Sequence, residues 1–238
     1  MSVALVTGAA SGIGLAIAER LRADGWEVLG VDLSGADFDA DLTTRDGNAG
    51  AVAEAVDRYG GLDAVVANAG VQHVAPIAEF PEERWDAMLA LLLTSPFLLA
   101  KYAWPHLIES GRGRFLAVAS VHGLVASPFK SAYVAAKHGV IGLVRTLALE
   151  GAEHGISATA LCPAYVRTPL VERQIADQAR AHGISEDEVL EQVILEPHAV
   201  KRLIEPAEVA ATAELLLAPE GAAFTGAPVV MDQGWTAR

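Results

Sequence analysis

Thr7-Gly8-Ala9-Ala10-Ser11-Gly12-Ile13-Gly14 is the stretch on which the fold turns, because it joins the apolar run Val3–Val6 to a helical pattern over Ile13–Ala23. An apolar run that ends in glycines and passes at once into a helix reads as a strand–turn–helix unit. Glycines let the chain turn tightly and let a ligand approach the helix amino end, where unpaired N–H groups and the dipole favour negative charge. A pyrophosphate suits that geometry. Such turns also occur for packing alone, so a second signal is needed. Asp32 provides it by following the next apolar run, Glu27–Val31, eighteen residues after Gly14. A carboxylate there can accept hydrogen bonds from adenosine ribose hydroxyls. It also repels a ribose 2′-phosphate, and neither Ser11 nor Leu33 brings a compensating cation. The implied cofactor is NAD rather than NADP.

Outward from this turn, strand-like runs recur at Leu62–Ala67, Arg114–Ala119, Ser157–Leu161 and Pro228–Met231. They are continuously apolar, as parallel strands covered on both faces are. Helical patterns lie between them at Gly47–Tyr59, Pro81–Glu109, Ser131–His154 and Pro206–Leu217. The alternation predicts one α/β domain over residues 1–238, a doubly wound parallel sheet with helices on both sides. Residues 169–205 break the alternation with a charged, helix-rich stretch, expected to form a small helical lid. Ligands of such sheets bind beyond the carboxyl ends of the strands. Asn68-Ala69-Gly70, Ser120 with His122, and Pro163 through Thr168 all follow strands.

Composition narrows the function classes. Seventeen Lys and Arg against 30 Asp and Glu give a net charge of −13, which makes nucleic acid and membrane surfaces poor partners. Apolar residues reach 52%, enough for a sizeable core. One cysteine, Cys162, cannot form an internal disulfide and reads as a buried apolar residue. No secretory or transit pattern opens the chain, and a cytoplasmic protein is expected. The histidines at 73, 106, 138, 154, 182 and 198 have no metal-ligand spacing with acids or Cys162, so no metal is expected.

Tyr133 and Lys137 stand four apart on a predicted helix and share a face. A phenol titrates near about pH 10 and is a poor base at neutrality, whereas a neighbouring ammonium favours the phenolate. The serine hydroxyl of Ser120 could hold a substrate oxygen beside it. Tyr-x-x-x-Lys alone is a weak signal, but downstream of a nucleotide turn and a strand-end serine it gains weight.

These motifs resemble the short-chain dehydrogenase/reductase family nearly end to end, with TGAASGIG as its cofactor turn, ANAG as its Asn-Ala-Gly segment, and Ser120, Tyr133 and Lys137 as its catalytic trio. The resemblance implies a Rossmann fold and hydride transfer to a nicotinamide. Tyr133 would be the general base, Lys137 would lower its pKa and bind the nicotinamide ribose, and Ser120 would orient the carbinol. Cofactor contacts implied are Gly8, Ser11, Gly12, Ile13, Gly14, Asp32, Asp41, Leu42, Asn68, Ala69, Gly70, Tyr133, Lys137, Pro163, Val166 and Thr168, with Asp41 and Leu42 at the adenine and Val166 and Thr168 at the carboxamide. A homotetramer is implied too, with the helices at Pro81–Glu109 and Ser131–His154 pairing across a twofold axis.

Three features depart from the family pattern. LLLTSPF places Leu92 where the family usually has an asparagine that helps hold a water on the lysine. Only nine positions separate Asp32 from Asp41, too few for the usual helix between the second and third strands. Ala164 stands for a glycine after Pro163, and Gln233 interrupts the terminal Asp-Gly-Gly-Trp pattern.

NAGVQHVAPI, ASVHGLVAS, KSAYVAAKHGV and TPLVERQI are similar to segments of the family's D-3-hydroxybutyrate dehydrogenase branch. That likeness implies a small anionic substrate whose carboxylate is held by Gln72, His122, Lys130 and Gln174, with Ser120 and Tyr133 at its hydroxyl. Trp235, Tyr165 and Leu170 would crowd the acyl end. A chain of charge −13 that binds a small anion needs a local cation, which Lys130 supplies. The expected reaction interconverts D-3-hydroxybutyrate and acetoacetate. Other small hydroxy acids or secondary alcohols, and an impaired NAD-binding sensor suggested by Leu92, stay open at this point.

Overall fold

The computed structural model describes residues 1–237, with the side chains of all of these except 173, 176, 181 and 182, so the side chain of His182 falls outside the described ones. The described strands form one seven-stranded parallel sheet in the order β3-β2-β1-β4-β5-β6-β7. They are β1 (Val3–Thr7), β2 (Glu27–Asp32), β3 (Phe38–Asp39), β4 (Ala64–Ala67), β5 (Arg114–Val118), β6 (Ser157–Pro163) and β7 (Pro228–Met231). Strand order reverses between β1 and β4, which opens the crevice where ligands of this architecture bind.

Side-chain alternation along each strand divides the core between two layers. Val3 and Leu5 of β1 pack with α2 (Arg45–Tyr59), α4 (Ser95–Ser110) and α5 (Ser131–Gly151). Ala4 and Val6 pack with α1 (Gly12–Ala23) and α8 (Pro206–Leu217). This two-sided burial is why the strands read as unbroken apolar runs.

The structure refines several predicted boundaries. The helix expected over Pro81–Glu109 is α3 (Glu82–Leu89), a π turn (Ala90–Thr94) and then α4. Pro96 has no N–H to offer the carbonyl of Leu92, four residues earlier, which accounts for a wider turn there. The next predicted helix ends in a 3₁₀ turn (Ala152–His154). Between β2 and β3 there is no helix. The carboxylate of Asp37 instead bridges back to the Gly30 N–H at 2.7 Å and to Arg22, pinning the short connection.

Residues 169–205 contain α6 (Pro169–His182), α7 (Glu186–Val189) and a π turn (Leu190–Ile194). Thr168 caps α6 by accepting the Val171 N–H, and Ser185 with Glu188 forms a capping box on α7. Val171, Val189, Ile194 and Leu203 bury themselves in a separate small core with Tyr165, against which Trp235 packs. The helical stretch Glu82–Ser110 is long and apolar enough to cross a membrane by length and composition, yet Leu98, Leu99, Ala103 and Leu107 within it belong to the buried core of the sheet.

Candidate active site

The glycine turn is shaped by close packing. Gly8 and Gly12 have φ of +69° and +56°, where a side chain is strained, and a β-carbon at Gly14 would collide with the Gly8 carbonyl oxygen. Asn68 clamps the turn by donating its amide to the Thr7 carbonyl at 2.8 Å, while the Thr7 hydroxyl accepts the N–H groups of Asn68 and Ala69. Asp32 accepts the Ala10 N–H at 3.1 Å and the Leu33 N–H at 2.8 Å, which fixes its carboxylate beside the turn. Asp41 accepts both the N–H and hydroxyl of Thr43, and these bonds hold its carboxyl below the usual carboxylate range.

One cavity of about 320 Å³ runs from this turn along the carboxyl ends of the strands. Among the expected cofactor contacts, Gly8, Ser11, Gly12, Ile13, Asp32, Asp41, Leu42, Asn68, Ala69, Gly70, Pro163 and Thr168 line it, and so do Tyr133 and Lys137. Two do not. Gly14 lies behind the wall, where its missing side chain permits the approach to Gly8. Val166 turns into the core beneath the sheet and bridges Ile204. Leu33, Thr43 and Leu91 also line the cavity. Sequence gave no chemical signal for these contacts, since they arise from strand ends and a helix coming together.

At the inner end stand Ser120, Tyr133 and Lys137. The Ser120 hydroxyl accepts the His122 N–H at 3.1 Å and faces the Pro163 carbonyl at 3.4 Å. The Lys137 ammonium donates to the Val118 carbonyl at 2.7 Å and lies 5.6 Å from the Tyr133 ring centre. Burial pushes the Tyr133 phenol up to about 12, against a downward pull from its hydrogen bond with Ser120, and pushes Lys137 down to about 8. Desolvation is the largest cause of the Tyr133 shift, while the Lys137 ammonium gives one of its three N–H donors to the Val118 carbonyl. Cys162 is buried as expected, and burial raises its thiol to about 11.

All four polar residues expected at the substrate carboxylate, Gln72, His122, Lys130 and Gln174, line the same cavity. His122 is buried with Nε2 2.9 Å from the Ser127 hydroxyl, and desolvation plus the charge of Lys130 holds its ring down to about 3, so it is neutral. Lys130 is only 3% exposed, and Phe129 before it has a φ of 65°, an uncommon conformation for a bulky residue. The Ala75 N–H donates to the Phe129 carbonyl at 3.0 Å, tying the loop of Gln72 to that of Lys130. Leu170 lines the cavity. Trp235 instead lines a neighbouring one, stacked on Tyr165 at 5.9 Å. The Tyr165 hydroxyl accepts a hydrogen bond from the Lys130 ammonium at 2.7 Å.

Residues 2–179 match the family model described as short chain dehydrogenase. The chain is 44% identical to D-beta-hydroxybutyrate dehydrogenase of Rhizobium meliloti (strain 1021), covering 99% of this chain and 98% of that protein. It is 42% identical to the protein of the same name from Cupriavidus necator, again over 99% and 98%. Among solved structures, the ligand-free aldohexose dehydrogenase of Thermoplasma acidophilum matches with a TM-score of 0.90 and 30% identity, covering 100% of this chain and 94% of that one. The chain belongs to the short-chain dehydrogenase family and is an NAD-dependent dehydrogenase.

Proposed function

We propose that the enzyme interconverts D-3-hydroxybutyrate and acetoacetate. The observation that carries this reading is Lys130, a buried ammonium placed in the same cavity as Ser120 and Tyr133 by a chain of net charge −13. Moving a cation out of water is costly unless an anion meets it there, and its neighbours His122, Gln72 and Gln174 are of the kinds that donate to a carboxylate. Two full-length relatives named for hydroxybutyrate support the same substrate.

In this reading Ser120 donates to the substrate oxygen at C3, and Tyr133 takes the hydroxyl proton during oxidation or returns it during reduction. At neutral pH the buried phenol keeps its proton, which suits the reductive direction; oxidation needs the phenolate. The glycine turn and Asp32 would hold NAD, whose pyrophosphate and ribose suit an N–H-rich turn and a carboxylate. Bound NAD⁺ supplies the acceptor for the C3 hydride and a positive ring that favours the phenolate. Lys137 holds the ribose side of that site. Residues 169–205 act as a lid that brings Gln174 onto the acid.

Steady-state oxidation of both hydroxybutyrate enantiomers, with NAD and with NADP, tests this. Turnover of the D enantiomer with NAD is expected, falling by about 10²–10⁴-fold in Tyr133→Phe. Lys130→Met should weaken acids and spare neutral secondary alcohols. Equal loss on both, or faster turnover of a neutral alcohol by the parent enzyme, would overturn the substrate assignment.

A further inference from the structure

Lys130 stands in the wall between two cavities. One is the active-site cavity, and the other, of about 440 Å³, lies behind it and reaches the surface beside the exposed Gln192 and Glu196. Tyr165 lines both as well. A lysine stem has four rotatable bonds, so burial alone does not decide which cavity receives the ammonium. What decides it is the Tyr165 hydroxyl, which accepts from Nζ at 2.7 Å between two side chains that are 3% and 6% exposed. No carboxylate among the described residues makes an ion pair with Lys130.

The oxygen is itself fixed. The Tyr165 ring stacks on Trp235 with planes 14° apart and meets the rings of His122 and His198 edge-on at 6.2 and 6.1 Å. It therefore cannot swing with the lysine. A phenol oxygen that accepts a hydrogen bond from an ammonium still has its own O–H to donate, and the group that best accepts it at this end of the cavity is an anion.

We propose that the Tyr165 hydroxyl sets acid specificity, holding the Lys130 ammonium toward the active-site cavity and donating its own proton to the substrate carboxylate. This rests on the carboxylate reading of Lys130 given above. Tyr165 is a positioning residue for Lys130 and a further contact for the acid.

Tyr165→Phe removes the one oxygen and keeps the stacked ring. Its KM for D-3-hydroxybutyrate should rise about tenfold or more, as loss of a hydrogen bond to a charged group does, with kcat, NADH affinity and thermal midpoint close to the parent. Oxidation of 2-butanol should not change. In a Lys130→Met background the same substitution should add little, because the two groups act as a unit. An unchanged KM for the acid, an equal rise for 2-butanol, or full additivity in the double variant would overturn the proposal. A second readout separates it from the substrate assignment: ¹⁵N NMR should show the Lys130 ammonium protected from exchange in the parent and unprotected in Tyr165→Phe. Should the parent fail to oxidise D-3-hydroxybutyrate, the substrate reading falls, and this exchange measurement still decides the Lys130–Tyr165 anchor. Equal exchange in both proteins sinks the anchor.

Discussion

A single imidazole shows how much burial changes the chemistry of a residue. His122 would titrate near 6.5 in water, but inside this cavity desolvation, with Lys130 and His138 nearby, keeps it neutral down to about 3. A neutral ring hydrogen-bonded to Ser127 through one nitrogen keeps the other for a ligand. The same depression has a cost in stability with a definite sign. Above pH 6.5 the ring is neutral folded or unfolded. Below it the unfolded chain takes up a proton that the folded chain refuses, so stability falls as pH drops from 6.5 toward 3. His122→Gln should lessen that fall. Urea midpoints at pH 7 and pH 5 check this; parallel losses in parent and variant would contradict it. Tyr133 and Lys137 follow the same rule, since both are pushed toward their neutral forms by burial.

At the level of elements, the π turn at Ala90–Thr94 divides the helix expected over Pro81–Glu109. Leu92 at its centre is 1% exposed and clusters with Met88, Ala132 and Ala136, beside Tyr133. Apolar packing between this turn and α5 occupies the place where the family usually has an amide. Lys137 meanwhile donates a hydrogen bond to the Val118 carbonyl. Leu92→Asn should cost about 1–3 kcal/mol of stability by burying an amide. It should also raise turnover by returning a polar group to the position where the family usually has an asparagine. Stopped-flow and steady-state rates check the second expectation, and an unchanged or slower rate would count against the proton relay. The direct link from β2 to β3 is pinned by the Asp37 carboxylate, which accepts the Gly30 N–H and pairs with Arg22.

Over the whole molecule, large apolar side chains stay exposed on the helices expected to pair. Phe97 and Ile108 of α4 are 46% and 37% exposed, and Leu149 of α5 is 81% exposed. Apolar surface on the helices expected to pair fits the homotetramer that the family resemblance implies, although the net charge of each copy opposes association. Sedimentation is expected to give a tetramer, and Leu149→Glu with Phe97→Glu should shift it to smaller species with the fold intact. A monomeric parent protein would remove the basis for that expectation.

The amino-acid order alone determined the parallel sheet, the glycine turn with Asp32, and the set of polar residues at the strand ends. These follow from local rules: strands buried on both faces must be continuously apolar, and ligands gather where strands stop. The π turn within the long helix, the inward turn of Val166, and the bond from Lys130 to Tyr165 needed the tertiary structure. So did the direction of the Tyr133 shift. Each depends on what lies on the far side of a side chain, on solvent excluded or a distant strand brought near, and burial of that kind is a property of the packed fold rather than of spacing along the chain.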